Sequence, residues 1–283
     1  MSIIKTSPEC MVSVCAIGGI KGKTTFINGS IMGFLGGAYI GLGGLFAIKL
    51  AGNMPIEIWG NMTRLVFAFA FPLGLLMVMI AGADLFTGNC MYLPSAMIGK
   101  KTGWGGLARS WGLSYASNFV GAVFVAYFLG YSTTLFLDLD ANGFMPLAAY
   151  TVKLANGKCI LPFDVAFWRG VGCNWMVCIA IYMSLAASDG VSKAVLLWPP
   201  VVCFVAMGFE HSVANMTFIP LAIFIGNSDI YLNNAVPLPS LTADWYGLFI
   251  KNLIPVTLGN IVGAAVFIGM AYYKANNLKV NSD

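Results

Sequence analysis

Charge is what this chain has least of. Aspartate, glutamate, lysine and arginine make up only 9% of its 283 residues, where soluble domains carry about a quarter. A surface so poor in charge cannot coat a globule in water. Histidine is scarcer still, with His211 the single example, and one imidazole cannot hold a haem from both sides. The seven cysteines, at 10, 15, 90, 159, 173, 178 and 203, include no CxxC pair, so their spacing supplies neither a zinc site nor an iron–sulfur framework. They read as reduced thiols serving as small hydrophobes. A membrane redox enzyme therefore has poor support, and no metal or cofactor is expected. The formal charge of +4 is scattered near the ends of apolar runs and offers no basic stripe for nucleic acid.

What fills the chain instead is apolar. Hydrophobic residues make up 59% of it and the mean hydropathy is +0.82, which indicates an all-α protein crossing a lipid bilayer several times, because a helix satisfies its own backbone in lipid. Stretches of spanning length cover 27–48, 113–136, 165–187 and 253–273. Two more, 65–98 and 194–225, are too long for one straight span, at about 50 Å of helix against about 30 Å of hydrocarbon. Each is interrupted by a polar cluster, "GADLFTGN" at 82–89 and "GFEHSVAN" at 208–215. The run 11–20 is not a signal-peptide core, since Lys21 and Lys23 follow where small residues should stand. Ser7-Pro8-Glu9 reads as a helix start.

The two clusters align. Gly82 and Gly208, Asp84 and Glu210, Asn89 and Asn215, Pro94 and Pro220 all differ by 126 positions. "NFVGA" at 118–122 returns as "NIVGA" at 260–264, each nine residues after a basic residue, Arg109 or Lys251, and "FING" at 26–29 resembles "FWRG" at 167–170. Within a single domain over 1–283, this predicts two units, about 26–136 and about 165–273, with three spans each. Because three is odd, the second unit enters the membrane from the opposite side. The expectation is thus six transmembrane helices as two inverted three-helix repeats with helices 2 and 5 broken, a transport architecture.

Six spans put both termini on one side. That side carries Lys5, Lys21, Lys23, Lys100, Lys101, Arg109, Lys193, Lys274 and Lys279, against Lys49, Arg64, Lys153, Lys158, Arg169 and Lys251 opposite. The positive-inside rule places the termini in the cytoplasm of a plasma-membrane protein. Trp59, Trp104, Trp111, Trp168 and Trp245 fall near span ends, where an aromatic belt would hold them. Gly29, Gly33, Gly37 and Gly41 form a small-residue stripe on span one, expected to let another helix of the same subunit approach closely.

Titratable groups at membrane depth are functional unless paired. Asp84 and Glu210, beside equivalent breaks, are expected to accept backbone N–H groups freed there, with Asn89 and Asn215 as companions. His211 has no such symmetry, because its counterpart is Leu85. A histidine can exchange a proton near neutral pH; the bland alternative is a core histidine satisfied by a carbonyl. If the breaks face each other, the Thr87 hydroxyl meets it. Phe71, Leu75, Phe86 and Phe204 supply apolar walls, though any one of them alone is equally ordinary packing.

The clusters "AGADLFTGN" and "GFEHSVANM", with "NLIPVTLGNIVGA" near the C-terminus, resemble the signature motifs of the formate/nitrite transporters, and the likeness covers nearly the whole chain. The resemblance implies an aquaporin-like hourglass with one pore per protomer, a homopentamer, and transport of small monovalent anions such as formate, nitrite, acetate, lactate or hydrosulfide. The single His211 between apolar walls adds the expectation of a pH-dependent channel or a proton-coupled transporter. Formate is expected on overall likeness. Carried over by motif, Leu85, Phe86 and Thr87 with Leu75 shape one constriction, Phe71 and Phe204 the other, and His211 is the central histidine with Glu210 and Asn215 beside it. Lys158 in "ANGKC" corresponds to an anion-attracting outer lysine and Asn174 to a polar residue near the centre. Lys21 and Lys23 in "GGIKGK" both fit the inner lysine.

Overall fold

A computed structural model describes residues 4–278; Lys279 lies outside them. Those residues form helices α1 (Ser7–Lys21), α2 (Phe26–Ala51), α3 (Asn61–Ala81), α4 (Phe86–Ile98), α5 (Trp104–Tyr131), α6 (Pro146–Cys159), α7 (Phe163–Ser184), α8 (Gly190–Ala206), α9 (Ser212–Gly226) and α10 (Gly247–Ala275), with short turns of helix between. Five of them, α2, α3, α5, α7 and α10, are long and apolar enough to cross a membrane; α8 and α9 are shorter.

Hydropathy located these helices better than it bounded them. The run 113–136 belongs to a helix that begins at Trp104 and ends at Tyr131. Its early turns carry Arg109, which donates to the Gly22 carbonyl at 2.9 Å, so the charge is satisfied by protein rather than lipid. Phe136 and Leu137 are buried in the loop that follows. The last helix likewise starts before 253, at Gly247. Two docked helices complete the fold. The expected start at Ser7 opens α1, where Glu9 accepts from the Thr6 backbone at 2.7 Å and Pro8 sits in the first turn. Helix α6, with Pro146 at its start, has no counterpart among the sequence expectations, because it is too short and too polar on one side to register as a span.

The glycine stripe of α2 faces α5 of the same chain. A Cβ on Gly33 would lie 2.6 Å from Ser117 Cβ, and one on Gly37 only 2.0 Å from the Asn118 carbonyl oxygen. Gly121 answers from α5 with 2.0 Å to the Phe34 carbonyl. Helices α7 and α10 pack equally closely: a Cβ on Gly259 would lie 2.1 Å from the Phe167 carbonyl oxygen. These backbone-to-backbone seams fix the two pairs of long helices, and the broken elements α3–α4 and α8–α9 are held between them.

Candidate functional site

Both long polar-interrupted stretches break where glycine permits it. Gly82 has φ +82° and Gly208 φ +72°, a left-handed turn open to glycine without steric penalty. The chain then extends through Leu85 (φ −117°, ψ 124°) and His211 (φ −110°, ψ 114°), which are the N-caps of α4 and α9.

The backbone groups freed at each break are taken up by one asparagine from the neighbouring long helix. Asn118 Oδ1 accepts the Phe86 N–H at 2.9 Å, while its Nδ2 donates to Gly33 O at 2.7 Å and Asp84 O at 2.8 Å. Asn260 does the same for the second break, accepting from Ser212 N at 3.0 Å and donating to Gly170 O at 2.8 Å and Glu210 O at 3.0 Å. The N–H groups of Asp84 and Glu210 reach the carbonyls of Met32 and Arg169. This corrects the expected role of the two acids. Their carboxylates face side chains, because the asparagines have already satisfied the backbone.

Asp84 accepts from Asn89 Nδ2 at 2.9 Å and pairs with Lys21. Glu210 accepts from Asn215 Nδ2 at 2.7 Å and pairs with Lys158 at 2.9 Å. Asn252 closes the second cluster, taking Asn215 Nδ2 on its Oδ1 at 2.7 Å and donating to Lys158 O at 3.1 Å; Ser114 accepts from Asn89 at 3.1 Å in the first. Lys21 ends α1 and Lys158 stands in the last turn of α6, so those docked helices place one ammonium at each break. Lys21 makes this contact, whereas Lys23 is exposed.

The N-termini of α4 and α9 converge. Thr87 Oγ1 lies 2.9 Å from His211 Nε2, and both residues are buried. The other ring nitrogen, Nδ1, accepts the Ala214 N–H at 3.1 Å. A backbone N–H can only donate, so Nδ1 is unprotonated, and in the neutral ring Nε2 carries the proton and donates it to the Thr87 hydroxyl. Asn174 donates to the Thr87 carbonyl at 3.0 Å and to Asn260 O at 2.7 Å, tying the first break to the second. Two half-helix N-termini aimed at one spot place positive partial charge there.

On one side of this spot opens a cavity of about 820 Å³. Arg64, Lys153, Lys158 and Arg169 line it against Glu57 and Glu210, and its inner end reaches Phe71, Phe204 and His211. Phe71 and Phe204 meet edge to face, with centroids 6.2 Å apart, and Phe204 lies 6.2 Å from the imidazole. Leu75, Leu85 and Phe86, none of which lines this cavity, are buried, and Phe86 is wedged between Trp111 at 6.1 Å and Tyr115 at 4.9 Å.

A profile of formate/nitrite transporters matches residues 8–274. The chain is 44% identical over 223 residues to a probable formate transporter of Methanothermobacter thermautotrophicus, covering 75% of each protein. It is 35% identical to the nitrite transporter NirC of Escherichia coli, over 75% of this chain and 71% of that one. Among solved structures, a pentameric formate channel with formate bound superposes with a TM-score of 0.75 at 30% identity, covering 88% of this chain and 97% of that chain. The chain belongs to the formate/nitrite transporter family. Its relatives are named as transporters and channels, and the all-helical fold with several apolar helices is that of a multi-pass membrane protein of this family.

Several residues of this formate/nitrite transporter site escaped the sequence reading. Asn118 and Asn260 open the duplicated "NFVGA" and "NIVGA", where the letters show the repetition but not the backbone partners. Asn252 opens "NLIPVTLGNIVGA", but nothing in that string marks its side chain for Asn215 and Lys158, and Ser114 lies in no motif. The sequence offers Arg64 and Lys153 as topology charges and Arg169 as a topology charge within the repeated "FWRG", and all three line the cavity with Lys158. Trp111, expected in an interfacial belt, is half-buried and donates to Asn89 O at 3.2 Å, so its indole serves the first break instead.

Proposed function

We propose that this protein is a pore for small monovalent anions, formate foremost, that passes them with proton exchange at His211 and Thr87. It sits in the plasma membrane with cytoplasmic termini, as six spans in two inverted repeats whose helices 2 and 5 are the broken α3–α4 and α8–α9, assembled as a homopentamer. The units, about 26–136 and about 165–273, extend back to α1 and α6, since Lys21 and Lys158 hold equivalent acids. The observation that carries the reading is the 2.9 Å contact of Thr87 with His211 beyond a basic cavity closed by Phe71 and Phe204.

The physics favours a neutral crossing. A carboxylate-sized anion in an apolar slit meets an idealised penalty of order 20 kcal/mol, still several after relaxation. Protonating an acid of pKa about 4 at pH 7 requires roughly 4 kcal/mol. Arg64, Lys153, Lys158 and Arg169 draw the anion in from one side and Lys21 serves the other; Phe71 with Phe204, and Leu75 with Leu85 and Phe86, strip its water. Asp84, Asn89, Glu210, Asn215 and Asn174 hold the breaks in register. Stripping raises the anion's proton affinity.

A plain channel using His211 as a fixed imidazolium is the rival. The cap to Ala214 speaks against it, because a proton on Nδ1 would face a backbone N–H. The imidazolium is then a passing state: Nδ1 leaves Ala214 as it takes a hydronium proton from vestibule water, the ring hands its Nε2 proton to the anion, and the cap reforms once the remaining ring proton has passed from Nδ1 back to Nε2 through water. Nitrite is the second substrate reading, supported by the relative named for it. Flux of labelled formate into liposomes, with nitrite as competitor, tests the proposal. Electroneutral, pH-dependent uptake that His211→Phe and Thr87→Ala both change is expected; unchanged rates and pH profiles in both variants would refute proton exchange, and current matching the flux would favour the fixed charge.

A further inference from the structure

Each break holds its lysine with a ring as well as an acid. Lys158 Nζ lies 5.7 Å from the centroid of Phe218, and Lys21 Nζ lies 5.6 Å from the centroid of Tyr92. The rings follow Asn215 and Asn89 by three residues, so the register that duplicates acid and amide duplicates the aromatic too. Both distances are within the roughly 6 Å over which a ring face attracts a cation.

The surroundings of the two rings differ. Phe218 packs on Phe71 at 6.1 Å and on Phe67 at 5.9 Å, and it lines the cavity together with Lys158. Lys158, Phe218, Phe71, Phe204 and His211 therefore form one continuous row from vestibule to centre. Helix α2 leaves room for this ring at Gly44, where a Cβ would stand 2.7 Å from the Phe218 Cε1 atom.

An ammonium has three N–H donors and no acceptor. In Lys158 one donor goes to Glu210 Oε1 at 2.9 Å and the face of Phe218 attracts the positive head from another side. We propose that Phe218 is a positioning residue for anion entry: it keeps the Lys158 ammonium turned into the cavity, with an N–H free for a small monovalent anion, and its packing sets that ammonium against Phe71 at the mouth of the aromatic pair. Without the ring, nothing holds the other N–H donors toward the cavity, and a second one turns to Glu210, which weakens the field at the mouth. The inference rests on the reading of Lys158 as an anion-attracting group.

The test is formate uptake into liposomes as a function of concentration, for the full chain with Phe218→Leu, with Phe218→Tyr and with pentafluorophenylalanine incorporated at 218. The fluorinated ring keeps nearly the same shape but reverses the sign of its face, so it separates charge from packing. Half-saturation is expected to rise about three- to tenfold in the Leu and fluorinated proteins, with the saturated rate within about twofold, and to stay near wild type for Tyr. Repeating the ring changes in a Lys158→Met/Glu210→Gln background should give no further rise. A fluorinated protein equal to wild type, or a Leu effect undiminished in that background, overturns the proposal and leaves Phe218 a packing residue. Failure of the underlying reading looks different: half-saturation unchanged by Lys158→Met/Glu210→Gln itself refutes anion attraction by Lys158, and with it this role for Phe218.

Discussion

The Nδ1 atom of His211 accepts the backbone N–H of Ala214 at 3.1 Å, so the histidine caps the very helix whose N-terminus it occupies. The role proposed for it in the pathway and its role in the fold can therefore be separated by choice of substituent. Asparagine is among the best N-caps and cannot titrate. His211→Asn is expected to unfold within a few degrees of wild type in detergent while losing pH-dependent flux. His211→Phe should lose the flux and about 1 kcal/mol of stability as well. Thermal unfolding of the two variants side by side decides it; a Phe variant as stable as the Asn variant would show that the cap contributes nothing.

Lys158 and Glu210 make a second separable pair. Their side chains are 12% and 4% exposed, so each shields the other from an apolar surrounding. Removing one charge leaves its partner buried and alone, which typically costs about 3–5 kcal/mol. Lys158→Met is expected to show that loss, moderated by the amides of Asn215 and Asn252 that still donate to Glu210. Lys158→Met/Glu210→Gln should recover most of it, since a neutral amide needs no counter-charge. Chemical denaturation or thermal inactivation of the two variants measures the difference, and a double variant no more stable than the single one would contradict the pairing.

How far the sequence foretold this site depended on which interactions repeat. The breaks at 82–89 and 208–215, the pairing of Asp84 with Glu210 and the isolation of His211 all follow from a register of 126 positions visible in the letters. The meeting of Thr87 with His211 follows once the two breaks face each other, because each then lies opposite the other's N-terminus. Helix α6 was hidden because a short docked helix has neither the length nor the uniform hydropathy of a span. The backbone duties of Asn118 and Asn260 were hidden for another reason: an asparagine's donor and acceptor choices depend on neighbours from a different helix, and no spacing within one helix encodes them. The place of Trp111 is not legible in the letters, because tryptophan near a span end looks the same whether it faces lipid or a buried carbonyl.

Those asparagines give a third prediction. In Asn118→Ala the Phe86 N–H and the carbonyls of Gly33 and Asp84 lose their partner in a fully buried position. Each unsatisfied buried group costs about 1–3 kcal/mol, so a loss of about 3 kcal/mol or more is expected. Asn118→Asp keeps the acceptor for Phe86 but has no donors for the carbonyls and adds a charge, and should be at least as unstable as Ala. Asn260→Ala should behave like Asn118→Ala. A drop below about 1 kcal/mol in either Ala variant would mean that the breaks are held chiefly by something else.

At the N-terminus of α1, outside the spans, the Thr6 backbone N–H and hydroxyl both donate to Glu9, at 2.7 Å and 2.8 Å, and hold its carboxyl below the ordinary value of 4.5. The folded helix thus favours the carboxylate. Its contribution is fully present above pH 4.5 and is lost as pH falls through the lower folded value. A spin label at exposed Val12 should gain mobility as pH drops from about 6 to about 3, and Glu9→Gln should remove that pH dependence. A label equally mobile at both ends of the titration in the native protein would disprove the linkage.

The glycines at the breaks yield a prediction in which sterics and backbone strain can be told apart. Gly82 adopts φ +82°, and a Cβ built there meets nothing within 4 Å, so Gly82→Ala adds no clash and tests the left-handed conformation alone. That conformation costs an L-residue roughly 1–2 kcal/mol, and asparagine, which tolerates it better, should cost less. Gly121 has an ordinary helical setting, but its Cβ would stand 2.0 Å from the Phe34 carbonyl oxygen, so Gly121→Ala must push α2 and α5 apart. Gly82→Ala is therefore expected to lose about 1–2 kcal/mol with Gly82→Asn recovering part of it, while Gly121→Ala should lose more and resist rescue by any larger side chain. Thermal stability of the three variants in one detergent tests the order; a Gly82→Ala protein as damaged as Gly121→Ala would mean that the first break is packed against something beyond this chain, such as a second copy of it.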